Sequence, residues 1–196
     1  MSPTRAIRPR IESLALSILL PALLLFGAAA QANTPADNQS VRFRDMSAEI
    51  PADWVAGEPS STMRRLQFSL PGANGGEGAE LVVYYFGPGQ GGTLEANIAR
   101  WASQFSGPDG AGVEPVITPL SGTMPATLVE LTGSYARGVG IGPTGDALPD
   151  RTLLAGVVET PSGNLYPQLH GPAGLVARQR DAFIAFIESI RADTAP

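Results

Sequence analysis

Apolar positions along the chain change period several times, and each change marks an element. Leu66, Phe68 and Leu70 alternate with Arg65, Gln67 and Ser69, the two-residue period of a strand with one wet face. Residues 81–86 are apolar without a break, which predicts a central strand buried on both faces. A first strand is predicted over 41–50, followed by a turn centred on Pro51-Ala52-Asp53 and then Trp54-Val55. Strands over 113–120 and 127–135 are separated by a turn at Ser121-Gly122, and strands over 153–160 and 164–169 form a hairpin across Pro161-Ser162-Gly163.

The period changes to a helical one twice. Leu94, Ile98, Trp101 and Phe105 follow at spacings of four, three and four, which predicts a helix over 93–105 with those residues on its core face. Asn97, Arg100 and Gln104 then occupy the opposite face and are expected to solvate it. The second helix is predicted from Pro172, suited to a first helical position, to about Ile190, burying Val176, Phe183, Ile187 and Ile190. The order is strands, helix, strands, helix, with no regular βαβ alternation. It predicts an α+β fold: a mostly antiparallel sheet with two main helices packed on it.

At the N-terminus the pattern has a different meaning. Arg5, Arg8 and Arg10 precede an apolar run from Leu14 to Phe26 that ends in Ala30-Gln31-Ala32, the layout of a secretory signal peptide with a small-x-small cleavage site. The run is short for a spanning helix and carries Pro21 near its middle. The expectation is cleavage after Ala32, release to the periplasm or the exterior, and no stable membrane span afterwards. Residues 33–40 read as a flexible leader, 41–191 as a single domain, 192–196 as a tail, and the glycine- and proline-rich 137–150 as a mobile surface loop.

Removing 32 of 196 residues leaves 164, enough for one core. The remainder holds 10 basic and 17 acidic side chains, a balance of about −7. Every one of the 13 cations in the chain is arginine and none is lysine. An acidic chain without a basic cluster is unsuited to nucleic acid, whose binding rests on neutralising phosphates. The absence of cysteine excludes disulfides, zinc–thiolate sites and thiol nucleophiles. His170 is the one histidine, so a multi-histidine metal site is excluded and a Ser-His-Asp triad would have to use it. It stands at a strand end just before a helix, an ordinary place for a surface histidine.

Gly87, Gly89 and Gly92 match G-x-G-x-x-G between a strand and a helix. The fingerprint also needs an acid at the end of the second strand and repeated βαβ units. Asp109 has about the right offset but lies before that strand. A P-loop would need Lys and then Ser or Thr after Gly92, where Thr93 and Leu94 stand. The glycines therefore read as a strand-to-helix connection, with a weak anion site at the helix N-terminus left open through Gly89 and Gly92. No cofactor is implied. Glu130, Asp146, Asp150 and Glu159 are the acids available for paired-carboxylate chemistry, which needs a fixed separation that sequence spacing does not supply. Ser60-Ser61 is not in a nucleophile elbow. Arg64-Arg65, close in sequence to Trp54, form a polar–aromatic cluster of the kind enriched at interaction surfaces. The candidate contact residues are thus Trp54, Arg64, Arg65, Gly89 and Gly92.

Ile50-Pro51-Ala52-Asp53-Trp54, then Met63-Arg64-Arg65-Leu66-Gln67-Phe68 and residues 79–86, resemble the opening of PsbP-like domains. The glycine-rich link, the amphipathic helix ending Trp101-Ala102-Ser103-Gln104-Phe105, the late hairpin and the C-terminal helix extend the resemblance over about 41–191. It implies an extracytoplasmic α/β/α sandwich, and binding or assembly roles rather than a shared reaction. Two functions follow as expectations. The first is a non-catalytic exported binding or accessory protein of the cell envelope, contacting another envelope protein or a small ligand. The alternative is a periplasmic hydrolase-like enzyme using Ser, Asp and Glu side chains without metal.

Overall fold

The described residues open with two strands rather than one. In the computed structural model, which describes residues 38–136 and 146–193, β1 (Asn38–Phe43) and β2 (Met46–Pro51) form an antiparallel hairpin. The turn is Arg44-Asp45, with Arg44 at φ 59°. The first three residues of β1 fall inside the expected leader, and the single strand expected over 41–50 is corrected to this hairpin. A tight turn usually announces itself through Gly or Asn at positive φ; Arg44-Asp45 carries no such signal. Tertiary contacts hold it instead: Ser162 donates to Asp45 Oδ2 at 2.6 Å, and the Arg44 guanidinium lies 3.8 Å from the Tyr85 ring centroid.

The main sheet is built from β3 (Val55–Ala56), β4 (Arg64–Leu70), β5 (Ala79–Tyr85), β6 (Phe105–Ser106), β7 (Val116–Ser121), β8 (Pro125–Tyr135), β9 (Leu148–Val158) and β10 (Leu165–Pro172). Its order is β3-β4-β5-β10-β9-β8-β6, with β7 also paired to β8. All its pairings are antiparallel. β11 (Arg191–Ala192) closes a separate three-stranded sheet, β1-β2-β11. The α+β class with two helices on a mostly antiparallel sheet is therefore the observed one.

Side-chain alternation divides the large sheet into two faces, and each helix takes one. α2 (Ala173–Ser189) lies with the small sheet on the face of Leu81, Val83, Leu154, Val158, Leu165 and Leu169, burying Val176, Phe183, Phe186, Ile187 and, just past its end, Ile190. Gly156 lets it approach: a Cβ there would sit 2.8 Å from Ile187 Cδ1 and 2.9 Å from Pro167 Cγ. The side chain of Trp54 is sealed into this layer at 2% exposure, edge-on to Phe186, and its indole N–H donates to Gln179 Oε1 at 3.1 Å.

The other face belongs to α1 (Leu94–Ala102), which covers Val129, Leu131, Leu153, Ala155, Val157 and Tyr166 with Trp101 and, beyond its end, Phe105. The expected helix over 93–105 is corrected here. It stops at Ser103, and Phe105 enters β6 opposite Tyr135 while staying buried in the same cluster. The loop expected over 137–150 is shorter at its far end, because β9 already begins at Leu148. The rest of that expectation, residues 137–145, lies outside the described residues, as does the proposed signal segment 1–32.

Candidate functional site

The two helices differ in reach, and that difference opens a groove. At about 1.5 Å per residue, α1 with nine residues spans about 13 Å, against about 25 Å for the 17 residues of α2. Strand register fixes what α1 leaves uncovered. His170 pairs with Glu80 on one side and Leu153 on the other, and Gln168 pairs with Val82 and Ala155. These rows, with Tyr84 two residues further along β5, point to the α1 face. They floor a cleft of about 370 Å³ whose walls are Gln104, Tyr135, Asp146 and Leu148. A smaller lobe of about 210 Å³ continues toward α1 past Phe86, Arg100 and Trp101, sharing Tyr84, Gln104, Tyr135 and Gln168. A third hollow, toward the β4–β5 turn, adds Glu77, Arg151 and Gly171 and shares Glu80, Leu148 and His170.

The charges around the groove are mostly matched. Glu80 Oε1 accepts from Arg64 Nη1 at 3.2 Å and from Gln67 Nε2 at 2.9 Å. The Arg64 guanidinium also lies 5.5 Å from the Tyr84 ring centroid. Arg151, 9% exposed, donates through both terminal nitrogens to the two oxygens of Glu77, at 2.7 Å for the Nη2–Oε2 bond. This fork holds the Glu77 carboxyl below the usual carboxylate range, and the charge of His170 adds to it. The same fork raises the Arg151 guanidinium. His170 is half-buried, its ring centroid 4.2 Å from that of Tyr135 and 6.5 Å from that of Phe105. It is part of the groove floor rather than an ordinary surface histidine.

Three uncharged polar side chains of this lining remain unengaged among the described residues. The side-chain amides of Gln104 and Gln168 and the hydroxyl of Tyr84 have no hydrogen-bond partner among the described residues, and all three border both the main cleft and its smaller lobe. Polar groups that border a concavity without protein partners are what a ligand engages. Serine and threonine are absent from the described lining of both spaces.

The residues proposed from sequence are not brought together. Trp54 is a core residue behind the opposite face and presents no surface. Arg64 stands beside the groove through Glu80 and Tyr84. Arg65 occupies a bulge between Arg64 and Leu66 and turns to the other face, 5.5 Å from the Tyr85 centroid. Gly89 and Gly92 are exposed on the strap between β5 and α1 and line none of these three spaces.

That strap has a structural explanation. Tyr166 donates its hydroxyl toward Gln90 O and Gly92 O, each at 3.3 Å, and Asn97 Nδ2 donates to Gly91 O and Thr93 O at 2.8 and 2.9 Å. Gly91, at φ 96°, passes so close that a Cβ would fall within 2.6 Å of the Tyr166 ring. Thr93 caps α1 by accepting from Ala96 N–H at 3.2 Å. Asn97, expected on the solvated face, is corrected to a buried residue at 1% exposure, because it ties the helix to the strap. Arg100 donates to its Oδ1. Gln104, from the same expected polar face, is a groove wall.

The acids considered for chemistry are dispersed as well. Glu130 accepts two bonds from Arg180, at 2.6 and 2.9 Å, on the α2 face. Asp150 is exposed on β9 and Glu159 just after it, and of these four acids only Asp146 borders the cleft. Among the described residues there is no group of three or more His, Asp or Glu placed to hold a metal ion. No helix among them is long and apolar enough to cross a membrane.

The architecture can now be set against solved structures. The solution structure of cyanobacterial PsbP (CyanoP) from Synechocystis superposes with a TM-score of 0.51 at 12% identity, covering 86% of this chain and 99% of that one. The fold is PsbP-like. A Pseudomonas aeruginosa protein of unknown function, PA94, aligns over 81% of this chain and 99% of its own at 16% identity, with a TM-score of 0.46. No protein-family model and no curated protein sequence matches the chain. At such identities the PsbP-like fold carries no residue roles across, and the groove has to be argued from its own chemistry.

Proposed function

We propose that this is an exported binding or accessory protein of the cell envelope, and that the groove on the α1 face is where it takes a small ligand. The observation that carries the reading is the convergence of Gln104, Gln168 and Tyr84, from three separate stretches of chain, as unengaged hydrogen-bonding groups around one cleft. The cleft's size, about 370 Å³, falls within the ordinary range for small-molecule sites. The hydrolase-like alternative draws less support. Glu80 is held by Arg64 and Gln67, and the shifted carboxyls, Asp45, Glu77 and Glu95, all move downward, which keeps them ionised rather than poised to donate a proton. The binding role implied by the resemblance to PsbP-like domains agrees with this reading, as does the N-terminal layout of residues 1–32.

Two measurements test it. Mass determination of the protein recovered from expressing cells should give a chain beginning at Asn33; retention of residues 1–32 in the functional form would remove the export half. Ligand screening by amide NMR against a chemically mixed library should give saturable shifts at Gln104, Gln168 and Tyr84. The Gln168→Ala variant should lose them while remaining folded. Hits that map to the α2 face instead would overturn the groove assignment.

A further inference from the structure

Resting on the groove assignment above, we propose that the ligand class is a neutral saccharide. The floor of the groove removes one competitor. β5 is paired on both sides, to β4 and β10, and β10 to β5 and β9, so the floor offers no free strand edge for addition of an extended peptide. The charges remove a second. Arg64 is ion-paired with Glu80 and Arg151 with Glu77, whereas Arg100, on the smaller lobe, gives one bond to the neutral Asn97 Oδ1. Asp146 adds negative charge at the wall. A phosphate or carboxylate in the main cleft would meet Glu80 and Asp146, with no arginine in its described lining, and would have to displace Glu80 or Glu77 to gain Arg64 or Arg151. A wholly apolar ligand fails for another reason: it would cover the Gln104 and Gln168 amides and the Tyr84 hydroxyl without replacing their water, which costs free energy for every group left unpaired.

What remains is an uncharged molecule with an apolar surface and several hydroxyls. Each glutamine amide presents a donor beside an acceptor, and each hydroxyl of a diol can both give and accept. The apolar part has its counterpart in Tyr84 and Phe86. They lie two residues apart, Phe86 just past the end of β5, with ring planes within 2° of parallel and centroids 6.1 Å apart. Both border the smaller lobe next to the two amides. Aromatic surface flanked by planar amides suits the C–H faces and the rim hydroxyls of a pyranose. The main cleft and the lobe share four lining residues, so room for one sugar continues into room for a second.

The test is a titration of the protein purified from expressing cells, followed by amide NMR and by Trp101 fluorescence. The probes are maltose, cellobiose and chitobiose with their trimers, against adenosine monophosphate, a tetra-alanine peptide and spermidine. The inference expects at least one neutral sugar to shift the Gln104 and Gln168 side-chain amides saturably, with trimer binding tighter than dimer. Gln168→Ala should weaken that sugar about tenfold, and Tyr84→Ala more, with Tyr84→Phe recovering part of the loss. Shifts at the groove from the nucleotide, the peptide or spermidine, with none from any sugar, would overturn the saccharide class and leave the groove assignment standing. Sugar binding that maps elsewhere and survives both variants would overturn both.

Discussion

The two faces of the large sheet are made from the same strands and finish in opposite conditions. On the α2 face a helix of about 25 Å and a three-stranded sheet cover the rows of Leu81, Val83, Leu154, Val158, Leu165 and Leu169, and polar groups there are paired inward: Trp54 with Gln179, Glu130 with Arg180, Glu49 with Arg191 and Ser189. On the α1 face a helix half as long covers the rows through Trp101 and Phe105 and stops, leaving Tyr84, Gln168 and His170 bordering open space. One face is closed by packing and the other keeps open surface. The difference comes from helix length and from where the chain turns back after Ser103, not from strand composition.

Several measurements would break or sharpen this contrast. The largest effect is expected from Phe183→Ala on α2, which empties a fully buried site and should cost about 3–5 kcal/mol in urea unfolding. A loss below 1 kcal/mol would mean that the α2 layer is not the stabilising one. Gly91→Ala comes next, at about 2 kcal/mol, because the residue combines φ 96° with a Cβ position 2.6 Å from Tyr166 ring carbons. Thermal unfolding should show this loss, and pairing it with Tyr166→Ala should relieve the steric part; strictly additive losses would separate the strap from Tyr166.

Acid sensitivity divides the molecule more finely. The Glu77 carboxyl is lowered chiefly by its bonds from Arg151, and the Asp45 carboxyl chiefly by the Ser162 hydroxyl. A lowered folded value means that the contribution is complete above the ordinary carboxylate range and lost as pH falls through the folded values. Glu77→Gln should therefore reduce stability near neutrality and flatten the decline below about pH 5, the window set by ordinary carboxyl values. An unchanged acid limb would place the sensitivity elsewhere. The smallest effect belongs to Gln168→Ala. With no hydrogen-bond partner for its side chain among the described residues, it should leave stability within about 0.5 kcal/mol while weakening groove binding about tenfold.

Much of the scaffold was readable in advance. The alternation of β4, the unbroken run of β5 and the buried stripe of α2 are local signals, and each element forms where its period requires. The hairpin at Arg44-Asp45 was not readable, since its turn is held by Ser162 and Tyr85 from far along the chain. The 81–86 run implied burial on both faces. Tyr84 and Phe86 are only half-buried, and that shortfall is where the groove lies. The strap glycines matched a nucleotide pattern because a close approach to an aromatic ring and a phosphate cradle make the same demand for glycine.

By itself, the sequence determined the α+β class, the two core-facing helices, and the exclusion of thiol and multi-histidine chemistry. All of these depend on residue type and short spacing. Only the tertiary structure decided that Trp54 and Asn97 are interior, that Arg64 and Arg65 part to opposite faces, and that Tyr84, Gln104 and Gln168 share one cleft. Register between distant strands and the length at which α1 ends set those outcomes, and neither is written in any local stretch of the chain.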